Sequence, residues 1–323
     1  MLPAASVVPM PIQEVQTPDH PLYGQFFMLS DAPFRLTPDP DFFYLTQPHL
    51  QALERIRYAI RTGTGFMWVL GEVGTGKTTL CRYLLKEITE QAHVAYIVSP
   101  SLSFRELLAA ILDDLGLSYD STASKKELVD RFRSFLLEEA QRRTVVVIDD
   151  AQTMPDETLE DLRLLSNLET DKEKLVQVLL IGQPELKEKL AQPHLRQLNQ
   201  RIAIRCEIPP LSEEEVRHYV AWRLQRAGNR GQIHLSPGAL RRLTRQSGGI
   251  PRLVNLLAEY ALLAAYVEGT RSLEPRHVER AARELSLEPP PGKAKRPKRF
   301  MLAASAGILA TAGLAWLAVR LWF

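Results

Sequence analysis

The spacing of apolar residues changes several times along this chain, and each change marks a different kind of element. Between Pro48 and Arg61, Leu50, Leu53, Ile56, Ile60 and the Tyr58–Ala59 pair recur at helical spacing, which predicts an amphipathic helix. Short, nearly continuous apolar runs follow at Gly65–Leu70, Val94–Val98, Val145–Ile148 and Val176–Ile181, with Ile202–Ile208 as a fifth. The stretches between them, Phe104–Leu115, Lys126–Ala140 and Pro155–Leu168, carry helical spacing. A strand that is apolar at every position has no solvent face, so these runs predict a parallel sheet covered on both sides by helices.

Beyond Pro209-Pro210 the pattern is helical alone. Ser212-Glu-Glu-Glu215 reads as a capping box that opens a helix running to about Ala227 and stopped by Gly228. Ser236-Pro237 starts a second helix that ends near Gly248-Gly249, and Pro251 and Pro275 open two more. The predicted architecture is α/β: an αβα sandwich on a five-stranded parallel sheet, then a small all-helical domain. Its boundaries are 23–62 for an aromatic-rich strap and helix, 63–208 for the sheet domain and 209–286 for the helical domain.

The two ends read differently. Residues 1–22 are Pro-rich, show neither period and predict a flexible leader. Tyr23, Phe26, Phe27, Phe34, Phe42, Phe43 and Tyr44 crowd among prolines and aspartates, which predicts a strap whose aromatics pack on the main domain. Partner binding or adenine contact is the alternative use of those rings. A Pro-rich, basic linker is predicted over 287–299, followed by an uncharged stretch from Phe300 to Val319. About 20 apolar residues span roughly 30 Å as a helix, so a transmembrane helix is predicted over 300–320. The basic flank on its N-terminal side predicts that the preceding domains are cytoplasmic, held at an inner membrane by a single-pass C-terminal anchor.

Composition adds limits rather than a function. With 323 residues, 45% hydrophobic and 24% charged, the chain can bury a sizeable core. Its net charge of +2 comes from Lys293, Lys295, Arg296, Lys298 and Arg299 in the linker, so the remainder is slightly acidic and nucleic acid is not an expected partner. Cys81 and Cys206 lie far apart without metal-ligand neighbours, which fits a reduced compartment. The N-terminus has no basic region followed by an apolar run, so no signal peptide is predicted.

The chemistry concentrates after the first strand. Gly71-Glu-Val-Gly-Thr-Gly-Lys-Thr78 satisfies the P-loop pattern between an apolar strand and a helix predicted from Thr79 to about Ile88. Gly74 and Gly76 let backbone N–H groups turn inward around phosphate oxygens, where side chains would obstruct the approach. Lys77 is expected to reach the β- and γ-phosphates and the Thr78 hydroxyl to ligate Mg²⁺. The Val145–Ile148 strand ends in Asp149 and Asp150, as a Walker B strand does. Asp149 suits Mg²⁺, usually through water, and Asp150 suits polarising the attacking water. Asp150 is one methylene shorter than a Glu in that place would be, which predicts either slower hydrolysis or a water held slightly differently.

Phe34-Arg-Leu-Thr-Pro-Asp-Pro-Asp-Phe-Phe-Tyr44, the P-loop, the Walker B strand with Ala151-Gln152, and Gly182-Gln-Pro-Glu-Leu186 together resemble the AAA+ ATPases of the general secretion pathway protein A, or ExeA-like, family. Leu195–Ile204 and Gly249-Ile-Pro-Arg252 extend the resemblance over roughly 23–285. It implies that the helical domain is a nucleotide lid, that Gln183 is sensor 1 and that Arg252 is sensor 2. It also implies an arginine finger, at Arg201 or at its competitors Arg196 and Arg205, acting on a neighbouring subunit of a ring or arc. The implied cofactors are ATP and Mg²⁺. The implied partners are inner-membrane components of type II secretion, type IV pilus or exopolysaccharide-export systems. Such relatives commonly continue into a periplasmic peptidoglycan-binding domain. This chain ends at Phe323, so its output is expected on the cytoplasmic side or within the bilayer.

The expected cofactor-binding set is therefore Gly71, Glu72, Val73, Gly74, Thr75, Gly76, Lys77, Thr78, Thr79 and Arg252, with Thr78 and Asp149 on the metal. Lys77, Asp150, Gln183 and Arg201 are the expected catalytic residues. The leading expectation is an ATP hydrolase that drives or regulates assembly of an envelope export machine. The alternatives are a nucleotide-switched binding module with little turnover and a DNA-associated AAA+ protein of the transposition type.

Overall fold

The computed structural model describes residues 23–36, 42–98, 101–169 and 174–286. The leader, the linker and the apolar C-terminal segment lie outside the described residues, as do positions 37–41 of the strap. Among the described residues, no helix is long and apolar enough to cross a membrane.

Five strands form one parallel sheet: β1 Phe66–Gly71, β2 Ala92–Ile97, β3 Arg143–Ile148, β4 Val176–Gly182 and β5 Ile202–Ile208. Their order is β2-β3-β4-β1-β5. The strap holds the single turn α1, Gly24–Phe27, and leads to α2, Gln47–Thr62. The other helices of the sheet domain are α3 Lys77–Ile88, α4 Phe104–Asp114, α5 Lys125–Glu138, α6 Asp156–Asp161, α7 Pro184–Leu190 and α8 Arg196–Arg201.

Successive side chains of a strand point to opposite faces, and here both faces are buried. Phe66, Trp68, Leu70, Val146, Ile148, Val178 and Leu180 meet the apolar sides of α4 to α8. Met67, Val69, Val145, Val147, Leu179 and Ile181 meet α2 and α3. Each fully buried aliphatic side chain is worth roughly 1.5–3 kcal/mol, so these two layers supply the main driving force for this part of the fold. Leu70 lies level with Gly182, and Gly71 with Ile208. The loops after β1, β3 and β4 therefore open at the same carboxyl edge, where open α/β sheets bind ligands.

The lid follows as α9 Glu213–Arg226, α10 Pro237–Ser247, α11 Pro251–Val267 and α12 Pro275–Glu284. Its first helix starts as its sequence predicts. Ser212 Oγ accepts from the Glu215 N–H at 3.2 Å, and Glu215 Oε2 accepts from the Ser212 N–H at 2.9 Å.

Three features depart from the sequence expectation. The predicted helix over Pro155–Leu168 is α6 followed by a 3₁₀ segment, Leu162–Asn167. Leu162, Leu165 and Leu168 are all buried, and a three-residue repeat suits the three-residue turn of a 3₁₀ helix. The lid is not all-helical, because two-residue strands β6 (His234–Leu235) and β7 (Ser272–Leu273) pair in parallel. Such short pairings leave no periodic signal. Finally, most of the strap packs on the lid: Tyr23, Phe27, Phe34 and Phe42 share one core with α9 to α12, and of its aromatics Phe43 packs instead on the sheet domain, against α2 and α3.

Candidate functional site

Between the carboxyl edge of the sheet and the lid lies a cleft of about 360 Å³. Residues Val73 to Thr79, Asp150, Gln183 and Arg252 line it, and the strap and lid close it with Phe42, Phe43, Tyr44, Tyr219, Arg223 and Asn255.

The floor is the loop between β1 and α3. Gly74 and Gly76 have φ of +84° and +95°, in the left-handed region that costs a side-chain-bearing residue about 1–2 kcal/mol. A Cβ at Gly74 would also stand 2.6 Å from the Arg252 Cβ, because the lid comes down directly on the loop. The Arg252 N–H donates to the Gly74 carbonyl at 3.2 Å. Lys77 is buried and donates from Nζ to the Gly71 and Glu72 carbonyls at 2.8 and 2.9 Å. Burial pulls the Lys77 ammonium below its ordinary pKa, and the negative charges of Asp149 and Asp150 oppose that shift.

Asp149 sits behind the loop, 3% exposed. Its Oδ2 accepts from the Thr78 hydroxyl at 3.0 Å and from the Tyr96 hydroxyl at 2.9 Å, while Oδ1 accepts from the Asp150 N–H at 2.9 Å. Burial, and then the charge of Asp149, push the Tyr96 phenol well above its usual range, so Tyr96 stays a donor. A hydroxyl and a carboxylate side by side are hard oxygen donors of the kind Mg²⁺ takes together with phosphate and water. The residues present thus fit that ion.

Asp150 lines the cleft with φ of +53°, a conformation that Asp tolerates better than most residues. Gln152 ties it to the next strand. Its Nε2 donates to Asp150 Oδ1 at 3.1 Å, and its Oε1 accepts from the Gln183 N–H at 3.0 Å. One side chain therefore sets the spacing between Asp150 and Gln183.

Of the sequence-derived set, Val73, Gly74, Thr75, Gly76, Lys77, Thr78, Thr79, Asp150, Gln183 and Arg252 come together on the cleft. Gly71 supports the loop through its carbonyl, Glu72 is exposed, and Asp149 stands behind Thr78. Arg201 lies apart from them. It precedes β5 at the opposite edge of the sheet, level with Phe66, and donates to the Arg163 carbonyl at 2.9 Å and to Asn167 Oδ1 at 3.1 Å. His49, Tyr96, Tyr219, Arg223 and Asn255 had no sequence signal as site residues, and Gln152 had only its place beside the Walker B strand.

Comparison with known proteins agrees with this geometry. A model of the AAA domain matches residues 60–190. General secretion pathway protein A of Aeromonas hydrophila is 48% identical over 267 residues, which cover 82% of this chain and 49% of that protein. The chain thus spans about half the length of that relative. The solved structure of the Aeropyrum pernix ORC2 protein is 19% identical, with a TM-score of 0.58 over 78% of this chain and 71% of that one. Cdc6p from Pyrobaculum aerophilum gives 18% identity and 0.58 over 81% and 70%. At such identities the likeness is one of fold.

Parallel sheet, phosphate loop, acid-tipped strand and capping lid make this an AAA+ P-loop protein, built to bind a nucleotide. Within that class the chain is ExeA-like over the half of general secretion pathway protein A that it spans, consistent with the resemblance of its motifs.

Proposed function

We propose that the protein binds and hydrolyses Mg·ATP and uses the cycle to drive or regulate assembly of a cell-envelope export machine. The observation that carries the first half is the convergence of Lys77, the Thr78–Asp149 pair, Asp150 and Gln183 at one edge of the sheet, beneath Arg252 of the lid. Loop amides and Lys77 hold the phosphates, and Lys77 exchanges its two carbonyl partners for phosphate oxygens. Thr78 and Asp149 would hold Mg²⁺, which supplies charge neutralisation on the phosphates. Asp150, set by Gln152, takes up the proton of the attacking water, and Gln183 orients that water or the γ-phosphate. Arg252 gives the lid a charge that senses the nucleotide.

Arg201 is too remote for its own cleft, since six residues of β1 separate its level from the P-loop. That position suits a finger acting on a neighbouring subunit in a ring or arc, with Arg196 and Arg205 as the competitors. The export setting rests on the similarity to general secretion pathway protein A. The inner-membrane anchor rests on the apolar pattern of residues 300–320. Type II secretion, type IV pilus and exopolysaccharide export are the systems in view.

The test of the site is Lys77→Ala, which is expected to abolish nucleotide binding or hydrolysis in a folded protein. Wild-type ATPase activity in that variant would remove Lys77 from the mechanism and the reading with it.

A further inference from the structure

We propose that His49 is a positioning residue for the phosphate site: it fixes the Thr75–Gly76 peptide plane so that the Gly76 N–H faces the bound phosphates. The inference deepens the nucleotide-binding reading above and rests on it. His49 lies in the first turn of α2, outside the P-loop motif, and is 3% exposed.

Both ring nitrogens are engaged. Nδ1 lies 3.3 Å from the Thr46 backbone nitrogen and 2.7 Å from the Thr46 hydroxyl, and Nε2 lies 3.2 Å from the Thr75 carbonyl oxygen. A backbone N–H can only donate and a carbonyl can only accept. Nδ1 must therefore be bare and Nε2 must carry the hydrogen, which specifies one neutral tautomer without reference to any titration. Burial, which holds the imidazole below its ordinary pKa, acts in the same direction against an upward pull from Thr75 and Glu215. Phe43 stands edge-on to the ring at 5.5 Å and limits its rotation.

The consequence for the loop follows from peptide geometry. In a planar trans peptide, the carbonyl oxygen and the next residue's N–H point to opposite sides. Holding the Thr75 oxygen against α2 turns the Gly76 N–H away from α2, toward the concave side of the loop that cradles phosphate. Gly76 cannot hold that orientation itself, because a glycine at φ of +95° rotates at little cost. On the other side of the residue, the Thr75 hydroxyl donates to the Glu72 carbonyl at 2.9 Å. Thr75 is thus clamped from both directions, once within the loop and once from α2. The ring also lies directly under the loop: a Cβ at Gly76 would meet Nε2 at 3.4 Å.

The experiment compares wild type, His49→Asn, His49→Gln and Lys77→Ala by calorimetric titration with MgADP, alongside thermal melting of the free proteins. Asn keeps an acceptor for the Thr46 N–H but is too short to reach Thr75, whereas Gln can carry its amide N–H to the Thr75 carbonyl. His49→Asn is expected to bind MgADP about five- to tenfold more weakly at a near-wild-type melting temperature, as the loss of one orienting hydrogen bond would give. His49→Gln is expected to recover to within about twofold of wild type. Wild-type affinity in His49→Asn overturns the proposal, and so does equal weakening in both variants, since the Thr75 hydrogen bond that Gln alone can restore would then make no difference. If His49→Asn does not fold, His49→Gln decides: retained affinity supports the role, and a loss in folded protein overturns it. Absence of MgADP binding by the wild type sinks the nucleotide reading and this inference together. A failure confined to the His49 variants leaves the nucleotide reading standing.

Discussion

The cleft has two walls of different construction. The sheet wall is made from residues close in sequence, 71–79 and 149–152, mounted on strand ends whose level is set by an apolar sheet. The lid and strap wall is held by buried polar groups that join distant parts of the chain. Arg223 of α9, 6% exposed, donates to the carbonyls of Pro33, Arg35 and Phe42, and its guanidinium lies 4.9 Å from the Phe42 ring centre. The Tyr23 hydroxyl donates to Glu259 of α11, and Ser30 donates from its backbone N–H to Ala227 at 2.8 Å. The strap is therefore part of the lid body, and the chain crosses to the sheet domain at Phe43–Thr46. One wall depends on a motif and the other on a few cross-chain hydrogen bonds, so the two should fail differently.

The sharpest test of that contrast is Arg223→Ala. It strands three carbonyls that Arg223 serves and removes a stacked cation, at an expected cost of about 3–5 kcal/mol in urea unfolding. A loss under about 1 kcal/mol would mean that the strap is held by its aromatic rings alone. Next comes Tyr23→Phe, which leaves Glu259 buried without its hydroxyl partner and is expected to cost about 1–2 kcal/mol. The effect should depend on pH. Burial raises the Glu259 carboxyl above its ordinary pKa, while Tyr23 and Arg223 pull it back. A folded-state value above the unfolded one means that this contribution is full below the unfolded pKa and is lost as pH rises through the folded value. Without the Tyr23 hydroxyl the loss should grow, so melting temperatures of wild type and variant should diverge as pH rises from acid toward neutral. Parallel curves would place the cost elsewhere. The smallest effect is expected in the sheet domain, from Arg57→Ala. Arg57 joins α2 to α3 through Glu87 and also pairs with Glu54, but the pairs are partly exposed. Less than about 1 kcal/mol should be lost, and less still in high salt.

How legible each wall was follows the same division. The P-loop could be found because its glycines, lysine and threonine must stand at set intervals between a strand and a helix. Asp149 and Asp150 could be found because they terminate an apolar run. Gln183 and Arg252 needed the family resemblance, and the fold then placed both on the cleft. His49 carries no such mark. In the sequence it is one polar residue in the first turn of an amphipathic helix, and only the packing of α2 against the loop, 26 positions away, gives it a carbonyl to hold. Arg223 likewise reads as an ordinary basic residue near the end of α9. The aromatic strap was recognisable as a packing element, but its partner was not, because aromatic rings report that they will be buried without reporting against what.

What the sequence determined by itself was the α/β order of elements, the parallel sheet and the phosphate-facing loop, since strand burial, helix caps and glycine placement act over a few neighbouring residues. What the tertiary structure decided was the seating of the strap on the lid, the bridge from Gln152 to Gln183, the tautomer of His49 and the remoteness of Arg201. These depend on which surfaces meet after the chain has folded back on itself, and a hydrogen bond across 190 positions, like that from Arg223 to Pro33, has no periodicity to announce it.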